Sequence, residues 1–361
     1  MKIRISLPLW TIILPGAAWL LLLLPPLSSS ALYALVPGAV LIGTVIAAVH
    51  HAEVIAHRTG EPYGTLILAV AVTVIEVSLI LSLMLAGGAD AATLARDTVF
   101  AAVMIILTGL TGLCLLLGGM RHKEQRFGRH GMNAALVTLT AITSLTLILP
   151  NYTTTVNGPV YSKPQLIFVA VVSLILYSTF LLVQTVRHRD YFLAEKGAGE
   201  PADPHTDPVG RGTLISSMLL LLIGLTAVVL LAKKLSPVIE SVVVNAGAPK
   251  SLVGVIIAAV ILLPEGLAAV KAARNNRLQT SLNLALGSAL ASIGLTIPAV
   301  AVASISAGLH VTLGLDAKSM VLLVLSLFTV TVSFSTGRTT ILQGMVLLVL
   351  FVVYLFVTIF P

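Results

Sequence analysis

Apolar residues fill almost the whole chain in blocks of about twenty, the length that crosses a bilayer's hydrocarbon core, separated by short clusters of charge, proline and glycine. Bounding the blocks by those clusters predicts eleven helical spans, at 7–27, 31–51, 62–87, 97–119, 130–150, 164–187, 212–232, 250–271, 280–305, 317–337 and 340–360. The pattern is that of an all-α integral membrane protein. The first block, after MKIRISLPLW, has the charged, apolar and small-residue zones of a signal peptide and is read as a retained first helix within residues 1–30.

The basic residues give an orientation. With the N-terminus in the cytoplasm, fifteen of the 21 Lys and Arg residues fall in inner loops, as the positive-inside rule requires of a chain whose C-terminus is outside. The longest polar interruption, RHRDYFLAEKGAGEPADPHTDPVGRG at Arg187–Gly212, reads as a cytoplasmic linker over 188–211. Setting the first helix aside leaves five spans on each side of it, in 31–187 and 212–361. An odd number per half makes the halves face opposite ways across the membrane, the inverted-repeat plan of many secondary transporters.

Composition narrows the class. The chain is 57% hydrophobic and 10% charged, against about 25% charged for a soluble domain. Its formal charge of +7 is accounted for by loops at a membrane surface, so membrane lipid rather than nucleic acid is the expected partner. The single cysteine, Cys114, lies in an apolar span as a small core side chain.

Two acids stand out. Glu76 and Glu265 lie well inside their spans, each in the second span of its half, with no deep Lys or Arg in sequence reach. An acid at the centre of a membrane helix costs about 2.5–3.5 kcal/mol on insertion scales and is read as functional. Such a pair takes its positive charge from protons or a metal cation. Two nearby carboxylates repel, so protonation competes with cation binding. Oxygen ligands favour hard cations such as Ca²⁺, Na⁺ or K⁺. Candidate supporting oxygens are Thr73, one turn before Glu76, and Ser281, Asn283, Ser288 and Ser292 on the span after Glu265. Pro264 cannot donate to Val260 and predicts an interruption beside Glu265, lining a cavity or serving as a packing kink. Lys271 follows about 9 Å along the helix.

At these residues the chain resembles a calcium/proton antiporter of the cation/calcium exchanger superfamily, bacterial branch. The stretch HAEVIAHRTGEPYGTLILAVAVTVIEVSLI resembles the first family repeat, with Gly64 and Glu76. The stretch VGVIIAAVILLPEGLAAVKAARNNRLQTSLNLALGSALASIGLTIP resembles the second, with Glu265 and the Gly287-Ser288 pair. GRTTILQGMVLLVLF resembles the opening of the last family helix, with Gln343 where many members have glutamate. The resemblance implies two glutamates that alternately hold Ca²⁺ and protons, with access alternating by the sliding of two gating helices. This chain departs from the pattern where Val72-Thr73 and Ile261-Leu262 replace the usual Gly-Asn pairs and Ala291 replaces a glutamine. Asp97 is the candidate for the polar position that the first repeat otherwise lacks. The expected function is exchange of cytoplasmic Ca²⁺ for external protons in the plasma membrane without a cofactor, and Na⁺(K⁺)/H⁺ antiport at the same site is the open alternative.

Other motifs read as structural. His50, Glu53 and His57 share a helical face beside His51, at spacings that lack HExxH, and are taken as interfacial. The basic loop Arg121–His130 anchors the inner face near anionic headgroups. Gly109, Gly112, Gly118 and Gly119 allow close helix packing rather than phosphate binding. No GxSxG or HExxH appears and no His lies mid-span, which argues against an intramembrane enzyme. A passive channel is disfavoured by the inverted halves and by a doubly negative site that holds a divalent ion tightly.

Overall fold

A computed structural model describes residues 7–24, 31–59, 63–87, 92–193, 210–247, 249 and 251–360. Its helices are α1 (Trp10–Leu23), α2 (Ala31–Thr59), α3 (Tyr63–Gly87), α4 (Leu94–His122), α5 (Arg129–Tyr152), α6 (Lys163–Arg187), α7 (Arg211–Asn245), α8 (Ser251–Ile261), α9 (Leu263–Arg274), α10 (Leu278–Ala307), α11 (Ala317–Phe334) and α12 (Ile341–Ile359). Two short strands, β1 (Gln125–Arg126) and β2 (Arg338–Thr339), pair antiparallel. The linker's residues 194–209 lie outside the described residues.

Each apolar block of the sequence is helical, and the protein is an all-helical integral membrane protein. Among the described residues eight helices are long and apolar enough to cross a bilayer, or nine if α8 and α9 form one bent span. That is fewer than the eleven expected crossings. The helix α1 has 14 residues, about 21 Å of helix against a core of about 30 Å, whereas α3, with 25 residues, has the length to cross.

Two predicted spans differ in shape. The block at 212–232 continues as helix through Lys233 and Lys234 to Asn245. A lysine pair reads as a loop in a hydropathy pattern, but here Lys234 Nζ donates to Leu21 O at 2.8 Å and to Leu24 O at 2.7 Å. It thereby satisfies carbonyls that the last turn of α1 leaves open and sets a cation at the negative end of that helix. The block at 250–271 is broken at Leu262, with a bend of 57° between α8 and α9.

Packing divides the chain into two compact units, Met1–Ala86 with Lys196–Lys250, and Gly87–Glu195 with Ser251–Pro361. Each draws helices from both sides of the linker. In the first, α2 lies along α7 and α1, and α1 also meets α7. Lipid tails are as apolar as leucine, so membrane helices associate through close contact rather than exclusion from water. Small side chains provide that approach here: Ala47, Ala48 and Ala52 of α2 and Ala227 of α7 are fully buried. A Cβ on Gly224 of α7 would stand 3.5 Å from Ala48 Cβ.

In the second unit α4 is the most enclosed span, packed against α8, α10 and α12. Glycines let α4 and α12 meet backbone to backbone: a Cβ on Gly344 would fall 2.5 Å from Leu116 N and 2.9 Å from Gly112 O, and one on Gly119 2.9 Å from Ile341 N. Those glycines therefore serve helix packing. The long helix α10 fills the centre, against α4, α5, α6 and α9. Its Gly294 lies under Tyr177 of α6, where a Cβ would be 2.8 Å from the tyrosine Cβ. Replacing Gly344 by leucine should cost about 1–3 kcal/mol, as overpacking does. The expected readout is a lower melting midpoint of the purified protein, while Gly38→Ala, whose Cβ meets nothing within 4 Å, leaves the midpoint unlowered.

Candidate functional site

The break between α8 and α9 follows from Pro264, which has no N–H to return to the preceding turn. Leu262, with φ −81° and ψ −4°, ends one helix and begins the next, its carbonyl accepting from Gly266 N at 2.9 Å. Glu265 thus occupies the first turn of α9, beside the positive end of the helix dipole. It is half-buried, and its Oε2 is closed off from solvent.

The neighbours of this turn are irregular as well. Residues Ile105–Leu110 of α4 form a wide π turn, of the kind that recurs at functional sites, and α9 packs on it. Leu110 Cδ1 would lie 3.7 Å from a Cβ on Gly266. Helix α10 passes along the same wide turn. There Ser288 is half-buried, and a Cβ on Gly287 would meet nothing within 4 Å, so α10 presents bare backbone to open space. Ser281 and Ser292, on the same helix, are buried at 0% and 4% exposure.

In the first unit Glu76 is 3% exposed on α3, with Thr73 one turn earlier and 6% exposed on the same face. A carboxylate this enclosed has little access to bulk water.

Two other candidates are engaged elsewhere in the second unit. Asp97, in the first turn of α4, accepts from Arg96 Nε at 2.8 Å and from Thr93 Oγ1 at 3.0 Å. Arg96 continues to Gly314 O at 3.0 Å, so the pair ties the start of α4 to the loop before α11. Asn283 donates to Phe192 O at 2.5 Å and accepts from Gln279 Nε2 at 3.1 Å. Gln279 in turn accepts from Gly128 N at 2.6 Å, and this chain fastens α10 to the segments after α6 and before α5. The histidines bind α2 to α1: His50 lies 5.4 Å from the Trp10 ring, and His51 Nε2 is 3.2 Å from Thr11 O. The side chain of His57 lies outside the described residues. Among the described residues no three His, Cys, Asp or Glu side chains gather as a metal cluster.

The wide turn of α4 was invisible in the sequence, since Ile105–Leu110 contains no proline and reads as ordinary span. The break at Leu262 was signalled by Pro264.

A helix broken beside a carboxylate, within a bundle of apolar helices, is a construction that secondary transporters use. The class is a multi-pass membrane cation antiporter, not an enzyme. The chain belongs to the sodium/calcium exchanger protein family, whose pattern matches residues 29–186 and 216–360. It is 48% identical to the putative ionic transporter y4hA of Sinorhizobium fredii, over 98% of this chain and 97% of that protein. It is 38% identical to the sodium-potassium/proton antiporter ChaA of Escherichia coli, over 87% of this chain and 85% of that one. Its fold is similar to that of the Ca²⁺/H⁺ antiporter YfkE, with a TM-score of 0.72 at 19% identity over 97% of this chain and 99% of the other.

Because the carboxylate of Asp97 is already matched by Arg96, Asp97→Asn should loosen the start of α4 yet leave ion exchange in proteoliposomes within about twofold of the parent. Its cost should appear in the melting midpoint, at about 1–3 kcal/mol for a partly buried charged partner left behind.

Proposed function

We propose that the protein exchanges a cytoplasmic cation for external protons, with Glu76 and Glu265 alternately protonated and cation-bound. The observation that carries the reading is Glu265 in the first turn of a half-helix that begins at a 57° break. Freed carbonyls at such a break supply cation ligands that an unbroken helix cannot. Glu76, enclosed on α3 with Thr73 on its face, is the second carboxylate of the proposal, with Ser288 as a supporting oxygen.

Ca²⁺ is the proposed cargo, since two carboxylates match a divalent ion in charge and a hard ion in ligand type. A proton entering either carboxylate weakens the cation's hold, and release on the proton-rich side follows. In the proposed topology the two five-helix repeats are inverted, the N-terminus is cytoplasmic and the C-terminus outside, as the bias of basic residues supports. Na⁺ or K⁺ as cargo is the second reading. It is favoured by the 38% identity to a sodium-potassium/proton antiporter and by the replacement of both Gly-Asn pairs with Val72-Thr73 and Ile261-Leu262.

The test is proton-gradient-driven uptake into proteoliposomes, with Ca²⁺, Na⁺ and K⁺ offered separately. Uptake of Ca²⁺ with counterflow of protons is the expected result, and a response to Na⁺ or K⁺ alone selects the second reading. Glu76→Gln and Glu265→Gln should each lower uptake about 100-fold, the effect of losing about 2.8 kcal/mol of cation binding, while both variants still insert and purify. Near-normal transport by both would remove the assignment.

A further inference from the structure

At the end of the second unit where α4 gives way to α5 and α11 to α12, an open depression of about 410 Å³ is walled by Arg126, Arg129, His130 and Arg338, over a floor of Phe127 and Gly337. Its walls come from two segments more than two hundred residues apart, and the backbone holds them together. Strand β1 pairs with β2, Phe127 N donates to Gly337 O at 3.1 Å, and the Phe127 and Phe334 rings meet edge to face at 5.1 Å. Gly337 adopts φ +70°, open to glycine, and the stem of Arg129 lies over it: a Cβ there would stand 2.8 Å from Arg129 Cγ. Thr336 Oγ1 donates to Arg338 O at 2.9 Å and fixes the turn.

This architecture sets like charges face to face. Arg126 and Arg338 are direct partners across the strand pair, an arrangement that is destabilising unless something answers the charge. Glu124 on the rim approaches Arg338 Nη1 at 3.3 Å and Arg126 Nε at 3.9 Å, which offsets one of three guanidinium charges. The lining itself contains no acid. Three arginines lining one hollow are suited to an anion with several oxygens in tetrahedral array, because each guanidinium fork can donate paired N–H bonds. The same end of the unit is basic beyond the hollow. Gln125 Nε2 donates to Ala273 O, and His122 Nε2 lies 3.0 Å from Arg274 O, which brings the α9–α10 turn with Arg274 and Arg277 alongside. Helix ends of a membrane bundle lie at headgroup depth, where anionic lipid is attracted to such clusters.

We propose that this depression is a phosphate-binding site, separate from the proposed cation site. Its ligand chemistry is shared by the headgroup of an anionic phospholipid and by free phosphate. The test uses the full-length protein in neutral detergent, titrated with dioctanoyl phosphatidylglycerol and, separately, with inorganic phosphate. Saturable binding of at least one is expected. The triple variant Arg126→Gln, Arg129→Gln, Arg338→Gln should weaken it about tenfold or more, the scale of losing charge-assisted contacts, while Arg121→Gln with Lys123→Gln, basic positions outside the lining, changes it less than about twofold on the same scale. Phosphatidylglycerol binding that inorganic phosphate does not displace assigns the site to lipid, and displacement by inorganic phosphate assigns it to the free anion. Arg129→Lys, which keeps charge and stem but loses the fork, should weaken binding several-fold without moving the ligand-free melting midpoint, and serves if the triple variant does not fold. Absence of saturable binding, equal weakening by lining and control variants, or full affinity in Arg129→Lys would overturn the proposal.

Discussion

Hydrocarbon answers neither the charge of a carboxylate nor the hydrogen-bonding needs of a bare backbone, and both demands meet at Leu262–Glu265. Over most of the described spans the backbone is satisfied within helices, and several hydroxyls bond there too. Thr44, Thr108, Thr143 and Thr146 each turn back to the carbonyl four residues earlier, at 2.6 to 2.7 Å, so they add no polar group to be accommodated. At Pro264 that economy stops. A broken helix with an acid in its first new turn is tolerated in a membrane only where protein or a lined cavity surrounds it, and the second unit supplies such surroundings from the wide turn of α4 and the centre of α10.

The two units reach close packing by different means. In the second, glycines bring α4 and α12 to backbone contact, so the position of the wide turn is fixed by atoms that cannot yield without moving a helix. In the first, alanines do the same more loosely between α2 and α7, with a glycine opposite Ala48 at ordinary contact distance. Contacts of that kind leave α4 little room to shift beside α9. Packing through small side chains leaves more latitude for adjustment.

The helices were legible because a bilayer imposes a length, and Glu76 and Glu265 stand out in the sequence because it imposes a cost on acids. What the sequence hid was whatever depends on a partner distant in the chain. Lys233 and Lys234 ended a predicted span, since a hydropathy pattern cannot know that Lys234 closes the carbonyls of α1. Nor does it show that Asn283 reaches back to Phe192 O, or that Arg96, the partner of Asp97, reaches forward to Gly314 O. The pairing of Arg126 with Arg338 had no sequence signature at all, as two basic residues in separate loops read simply as the positive-inside rule. Pro264 was the exception, a local signal whose effect is local too.

The engagement of Asp97 and Asn283 bears on how the proposed exchange would work. If side-chain ligands beyond the glutamates are few, the remaining oxygens around a cation fall to backbone carbonyls and hydroxyls, which the break before Glu265 and the bare backbone at Gly287 are suited to offer. Those oxygens are not titrating bases, whereas a carboxylate is one. Every proton that competes with the cation must then land on a glutamate, and coupling is confined to two side chains while the rest of the coordination stays indifferent to pH. A ligand set rich in further carboxylates would bind a cation more tightly but would spread that competition over more groups, so a sparse site exchanges affinity for tight coupling.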